Sequence, residues 1–141
     1  MSLKPKMPAS LWWLTGLIAV SVAAAILSGA ILYVQSRNLA TRQAEALAGG
    51  DVSAGKVAYV RYGCGGCHAM TGAPGVQGEV GPPLDGIAMR AHLAGRLPNS
   101  PSSMRRWLQH PQAIAPGSGM PELGVTHGDA RDLAAYLYTA K

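Results

Sequence analysis

The two cysteines of this chain stand in one short motif, Cys64-Gly65-Gly66-Cys67-His68. Two thiols three residues apart, with a histidine directly after the second, form the attachment site of a c-type haem. This spacing lets the thiols add to the two vinyl groups on one porphyrin edge, which places the next side chain under the iron. We therefore expect Cys64 and Cys67 to bind one haem c covalently and His68 to be an axial ligand of its iron.

Two other kinds of site use the C-x-x-C pattern. A thioredoxin-like redox pair needs a βαβ context, and a zinc site needs further ligands in a paired pattern. The chain has no third cysteine and no run of alternating strand residues. Haem attachment is therefore the interpretation that the motif favours.

A long uncharged segment precedes the motif. No residue from Leu11 to Val34 carries a charge, and a helix of that length would be about 36 Å long, enough to cross a hydrocarbon core of roughly 30 Å. We predict a cytoplasmic N-terminus over residues 1–10 and a transmembrane anchor over residues 11–34. Residues 35–50 are predicted to be a partly helical linker, either an extension of the membrane helix or a short separate helix, with a flexible joint at Gly49-Gly50. Residues 51–141 are predicted to be the haem domain.

The flanking charges define the orientation only weakly, since Lys4 and Lys6 precede the anchor and Arg37 and Arg42 follow it. Haem is attached to C-x-x-C-H on the outer face of an energy-transducing membrane. We therefore expect a single-pass protein of the cell inner (cytoplasmic) membrane, with the haem domain on the periplasmic or outer side. A cleaved signal peptide is the alternative, because Ser28-Gly29-Ala30 could be a cleavage site, but the apolar run exceeds the usual length of about 7–15 residues.

The net charge of +5 is concentrated outside the haem domain. Residues 51–141 contain eight Lys and Arg against six Asp and Glu, a formal +2 that two haem propionates would bring near zero. No basic stripe interleaved with aromatic residues is present, so we expect no nucleic-acid partner. The expected surroundings are membrane lipid and a membrane-bound partner.

The haem domain is predicted to be all-α, with three main helices around one covalent haem. They are expected at about 51–62, capped by Asp51 or Ser53, at 100–110, with Pro101 in the first turn, and at 126–139, capped by Thr126. Loops rich in glycine and proline connect them. The chain contains no Phe, so a bound haem would supply much of the apolar bulk of so small a domain.

Met120 is the predicted second axial ligand. It lies in Pro116-Gly117-Ser118-Gly119-Met120-Pro121, a loop that can approach a haem closely, and a thioether ligand raises the reduction potential. Met70 is too near His68 to reach the other face of the haem. The remaining candidates are assigned by default to packing, capping or surface positions: Met89, Met104, His92, His110 and His127.

Several motifs, in order along residues 51–141, resemble those of the class I cytochromes c. Gly55 and Tyr59 resemble the family's Gly-x-x-x-aromatic pair, which crosses the C-terminal helix at positions matched by Tyr136 and Leu137. The resemblance implies the class I cytochrome c fold. It covers nearly all of the predicted haem domain, which we therefore expect to be a cytochrome c domain.

The same resemblance assigns further residues to the haem. Gly81-Pro82-Pro83-Leu84 is similar to the family's Gly-Pro-x-Leu, which implies that the Pro82 carbonyl accepts the Nδ1–H of His68. Leu108 would pack on the haem. Trp107 stands where many members have a tyrosine that bonds the methionine sulfur, so that bond would come from the indole N–H or be absent.

Residues 94–124 also resemble the cytochrome c domain fused to subunit II of some haem-copper oxidases, which implies that Arg96 and Asn99 lie near the haem propionates. We expect a non-enzymatic carrier of single electrons, anchored in the membrane as a subunit of a respiratory complex, either a terminal oxidase or a quinol-oxidising complex. A free anchored shuttle between such complexes is one alternative. A haem-based sensor or peroxidase, which needs an open axial position, is another.

Overall fold

A computed structural model describes residues 8–75 and 78–140 of the chain. Most of the predicted cytoplasmic N-terminus, residues 1–10, lies outside the described residues, as does the last residue of the predicted haem domain. The chain divides into two compact units, of which the first ends at Asn38 and the second begins at Leu39.

Helix α1 (Ala9–Ala48) supplies the described part of the first unit. Its large apolar side chains are exposed, with Trp12 at 66% and Trp13 at 76%, and its most apolar window has a mean hydropathy of 2.4 with none of it buried. The Thr15 hydroxyl donates to the Trp12 carbonyl within the helix. Because its apolar surface is uncovered, α1 differs from a core helix of a soluble protein, and it is long and apolar enough to cross a membrane.

The helix continues beyond the predicted anchor. It does not end near Val34 but runs without a break through the predicted linker to Ala48, where Gly49 takes a left-handed conformation with φ +70°. A glycine in this conformation is a common end of a helix, because it has no Cβ to strain. The glycine pair therefore ends the helix, as the sequence indicated.

The last turns of α1 and the glycine pair are packed within the second unit. Ala44 and Ala48 are buried, and the Arg105 guanidinium donates to the Ala48 carbonyl at 3.0 Å. A Cβ on Gly50 would overlap the backbone of Arg131. The predicted flexible joint is therefore a close contact between main chains in this structure.

Helices dominate the rest of the second unit. Three of them begin after a side-chain cap: the side chains of Asp51, Ser100 and Thr126 each accept a hydrogen bond from a backbone N–H three residues on. Asp51, not Ser53, is thus the cap of the first of them. The helices are α2 (Val52–Arg61), α3 (Pro101–Gln109), the short α4 (Pro111–Ile114) and α5 (His127–Leu137).

A small hairpin and two 3₁₀ turns complete the unit. Strands β1 (His92–Leu93) and β2 (Leu97–Pro98) pair antiparallel, and the 3₁₀ turns cover Cys64–Gly66 and Ile87–Met89. The hairpin was not predicted, because two-residue strands carry no alternation that a sequence pattern can detect.

The core forms where α2 crosses α5. A Cβ on Gly55 would overlap the Asp132 carbonyl, so the two backbones meet at this glycine, and the rings of Tyr59 and Tyr136 pack edge to face with centroids 5.6 Å apart. These are the contacts that the sequence resemblance implied for Gly55, Tyr59 and Tyr136. The crossing fixes the end of α2, and hence the position of the cysteine motif that follows it.

Candidate functional site

A cavity of about 600 Å³ lies in the second unit, within the size range of protein pockets that take small molecules and cofactors. The cavity is lined by eight of the nine residues that were predicted to contact the haem or to ligate its iron, and Asn99 is the exception. The eight are Cys64, Cys67, His68, Pro82, Arg96, Trp107, Leu108 and Met120.

The cysteine motif forms a tight turn at one end of the cavity. Gly63, with φ +68°, reverses the chain after α2, and the His68 N–H donates to the Cys64 carbonyl at 3.0 Å. Both cysteines are free, and burial raises the pKa of the Cys64 thiol to about 11. A thioredoxin-like pair needs a thiol whose pKa is lowered, and burial acts on Cys64 in the opposite direction.

The His68 imidazole is held by its Nδ1 atom. This atom donates to the Pro82 carbonyl at 2.8 Å, which is the hydrogen bond that the Gly-Pro-x-Leu resemblance implied. The contact selects the tautomer in which the lone pair of Nε2 is available to a metal. Space for the ring depends on Gly81, because a Cβ there would lie 2.6 Å from Nδ1. The Tyr59 hydroxyl donates to the His68 carbonyl at 3.3 Å and fastens the same residue.

Arg90 supports the segment that holds His68, a role that was not predicted from the sequence. Its guanidinium donates to the Pro83 carbonyl and, at 3.2 Å, to the Asp85 carbonyl, and the residue also lines the cavity. The Gly81 N–H donates to the Cys67 carbonyl at 2.8 Å, which joins this segment to the cysteine motif. Arg90 bonds main-chain carbonyls, which every residue has. No sequence motif therefore indicates its role.

Met120 lines the same cavity from the segment 115–121, called the Met120 loop below, and its side chain is half-buried. Met104 and His92 also line the cavity, whereas Met70, Met89, His110 and His127 do not. Met104 is only 1% exposed, on α3, and belongs to the packed core. Met120 is thus the methionine that combines contact with the cavity and a position in a loop.

Leu108 and Trp107 contribute apolar surface from α3. Leu108 is buried and Trp107 half-buried, and within the described part of the chain the Trp107 indole N–H makes no hydrogen bond. No acidic side chain is found among the described lining residues, which do include Arg90, His92 and Arg96. An apolar cavity with basic groups fits an apolar cofactor that carries carboxylates, as haem does.

Asn99, predicted to lie near the haem propionates, does not line the cavity. Its amide donates to the carbonyls of Ile87 at 2.7 Å and Arg90 at 2.8 Å, and its Oδ1 accepts from the Tyr138 hydroxyl at 3.0 Å. Both donor hydrogens are therefore used within the protein. Asn99 joins the 3₁₀ turn before the hairpin to the end of α5.

Comparison with known proteins agrees with this geometry. The family model described as cytochrome c matches residues 52–141, nearly all of the predicted haem domain. No curated protein and no solved structure matches the chain significantly. Members of the matched family bind haem c covalently and carry electrons, and the Cys64 and Cys67 pair fits such a site. Because the match covers more than half of the chain, this protein belongs to the cytochrome c family.

Proposed function

We propose that this chain is a membrane-anchored cytochrome c subunit of a respiratory complex, in which one covalent haem c passes single electrons. One observation carries the proposal: the chain that contains the cytochrome c domain also contains a long apolar helix, and the most apolar stretch of that helix is not buried at all. The iron of the bound haem supplies the one-electron change. The residues described above attach and orient the haem and separate it from water.

The proposed roles follow from the positions of the side chains. Cys64 and Cys67 would attach the haem, and His68 and Met120 would hold its iron. The Pro82 carbonyl, bonded to Nδ1 of His68 at 2.8 Å, would leave Nε2 on the opposite side of the ring free to bind the metal. His68 and Met120 line the same cavity, and if both held the iron, no position would remain for a substrate. Such a site would favour electron transfer over the alternatives of a haem-based sensor or a peroxidase.

We place the anchor in the inner (cytoplasmic) membrane as a single pass, with the haem domain on the periplasmic or outer side. Beyond the apolar run, the Arg37 guanidinium donates to the Tyr33 hydroxyl at 3.1 Å and lies 5.7 Å from the centroid of its ring. Tyrosine and arginine side chains of this kind favour the boundary between lipid and water. Anchoring replaces diffusion in three dimensions with a high local concentration near membrane partners.

The form of residues 35–50 supports a subunit over a free anchored shuttle. A shuttle benefits from a flexible linker that lets its domain reach separate partners. Here the predicted linker is helical to Ala48, the Glu45 carboxylate accepts from the Val52 N–H at 3.2 Å, and Ala44 and Ala48 are buried. Residues 39–50 of the predicted linker therefore belong to the second unit and do not act as a flexible spacer, which supports a domain that serves one partner, a terminal oxidase or a quinol-oxidising complex.

Purification of the native membrane complex in mild detergent tests the proposed assembly. We expect the chain to co-migrate at a fixed stoichiometry with the redox subunits of an oxidase or a quinol-oxidising complex. Recovery of the chain alone, with haem attached and the complexes intact, would contradict the subunit proposal and favour the shuttle.

Substitution of the predicted sulfur ligand tests the site. In the ferric wild-type protein we expect the weak long-wavelength absorption band of a methionine–iron bond, and we expect Met120→Ala to lose it. Met104→Leu is the matched control, because Met104 also lines the cavity, and it should keep the band. A high-spin wild-type spectrum that changes readily with carbon monoxide would instead support a sensor or peroxidase.

A further inference from the structure

The Gln112 side chain makes three hydrogen bonds to the Met120 loop. From α4, its Nε2 donates to the carbonyls of Ser118 at 2.7 Å and Met120 at 2.6 Å. Its Oε1 accepts from the Gly117 N–H at 3.1 Å. One amide group therefore satisfies three backbone groups within four consecutive residues, including the carbonyl of Met120 itself.

The loop has little other structure to hold it. In residues 116–125, all of them described, the one backbone–backbone hydrogen bond runs from the Ser118 N–H to the Ala115 carbonyl. Gly117, at φ +80°, adds backbone freedom, and Pro116 and Gly119 are exposed. Without external hydrogen bonds, such a segment would sample many conformations.

Gln112 also holds the chain beyond the loop. Its own backbone N–H donates to the Glu122 carboxylate at 3.1 Å. Inside the loop, the Met120 N–H donates to the Ser118 hydroxyl at 3.2 Å. Backbone and side chain of Gln112 thus fix the chain on both sides of Met120, within ten residues of sequence.

We propose that Gln112 is a positioning residue that holds the Met120 loop in the conformation from which the Met120 sulfur reaches the haem iron. The inference rests on the proposed function, in which Met120 is an axial ligand. A neutral amide is required, because two of the three bonded groups are carbonyls that need donors and the third is an N–H that needs an acceptor. A carboxylate of nearly the same shape offers acceptors alone and would face two carbonyl oxygens.

The experiment compares ligand exchange in ferric full-length holoprotein in detergent. Imidazole competes with Met120 for the iron, so its apparent dissociation constant reports how firmly the loop presents the sulfur. One hydrogen bond of this kind shifts an equilibrium by a factor of about two to ten. Gln112→Glu loses two donors, and we expect its apparent dissociation constant for imidazole to fall by a factor of about ten or more. We also expect this variant to show a weaker methionine–iron band. Gln112→Leu, which loses the bonds without adding a charge, should show a smaller change in the same direction.

Gln109→Glu is the matched control, because it makes the same chemical change on α3 at a residue that does not line the cavity. It should leave the imidazole affinity unchanged. The proposal is overturned if both Gln112 variants bind imidazole as the wild type does. It is also overturned if they lower the unfolding midpoint while ligand exchange stays constant, since that is the result of a purely structural role.

The two proposals fail in different ways. If Met120→Ala keeps the methionine–iron band, Met120 is not the ligand and the proposed site itself is wrong. If Met120→Ala loses the band while both Gln112 variants keep wild-type imidazole affinity, the ligand assignment stands and only the role of Gln112 is wrong. If Gln112→Glu fails to incorporate haem, Gln112→Leu supplies the same comparison. If both variants lose haem but retain their helical content, the result would contradict a role of Gln112 that is confined to the Met120 loop.

Discussion

Gly55→Ala tests the crossing of α2 and α5, on which the position of the cysteine motif depends. The added Cβ would overlap the Asp132 carbonyl and lie 2.8 Å from Cβ of Tyr136. A backbone carbonyl in a helix cannot rotate away, so the two helices must separate. Overpacking of a core costs about 1–3 kcal/mol, and a backbone obstacle places this substitution near the upper value.

The expected net effect includes the helix preference of alanine. Alanine is about 1 kcal/mol more favourable than glycine inside a helix. Subtracting this gain from an overpacking cost of about 3 kcal/mol leaves a destabilisation of about 2 kcal/mol. For a domain of this size, that loss lowers the melting temperature by roughly 10 °C.

Thermal unfolding of the haem domain, followed by haem absorption in the full-length protein, measures the effect. Gly128→Ala is the matched control, because Gly128 is also helical, in α5, and a Cβ there would contact nothing within 4 Å. The control should raise stability by about 0.5 kcal/mol. A Gly55→Ala protein that melts within two or so degrees of the wild type, or two variants that shift in the same direction, would refute the steric argument.

Three further substitutions probe other contacts. The Tyr62 and Thr126 hydroxyls hold the pKa of Asp129 below its usual value. The carboxylate therefore stabilises the fold above about pH 4, and this contribution is lost as the pH falls through the lowered pKa. In denaturant titrations, the unfolding free energies of wild type and Asp129→Asn should differ by a constant amount above about pH 5 and converge in acid. Ala48→Leu overfills a site that is 1% exposed and should lower the unfolding free energy by about 1–3 kcal/mol in chemical denaturation. Gly81→Ala crowds the His68 ring and should reduce the low-spin six-coordinate fraction in the ferric spectrum.

Each of these variants has a comparison that isolates its cause. Ala46→Leu makes the same change on the exposed face of α1 and should be nearly neutral. Gly66→Ala adds a Cβ with no neighbour within 4 Å and should keep the wild-type spectrum. For Asp129→Asn, a separation from wild type that is independent of pH down to pH 2 would exclude the carboxylate charge as the cause.

The helix starts were predictable because their signals are local. Asp51, Ser100 and Thr126 each bond a backbone N–H three residues away, a contact that depends on neighbours in sequence alone. The cysteine motif was predictable for the same reason. The contact between Nδ1 of His68 and the Pro82 carbonyl spans 14 residues and was reached through the family resemblance, since spacing alone does not indicate it.

What the sequence did not reveal depends on contacts that leave no pattern. Gln112 and Arg90 bond main-chain carbonyls, and any residue supplies a carbonyl, so the partners carry no sequence signal. Asn99 was placed beside the haem by analogy, whereas its amide is used by Ile87, Arg90 and Tyr138, a set assembled by the tertiary fold. The continuation of α1 to Ala48 was left open because residues 35–48 favour a helix whether or not they join the preceding one.

The last ten residues of α1 belong to the second unit, and their packing determines where the protein can be divided. A soluble fragment that starts at residue 51, where the haem domain was predicted to begin, would lack Ala48 and leave a gap in the core. It would also remove the acceptors for the Arg105 guanidinium and the Val52 N–H. A fragment that begins at Leu39, the first residue of the second unit, keeps all of these contacts. The last ten residues of α1, which resemble a disposable spacer in the sequence, are thus part of the electron-carrying domain.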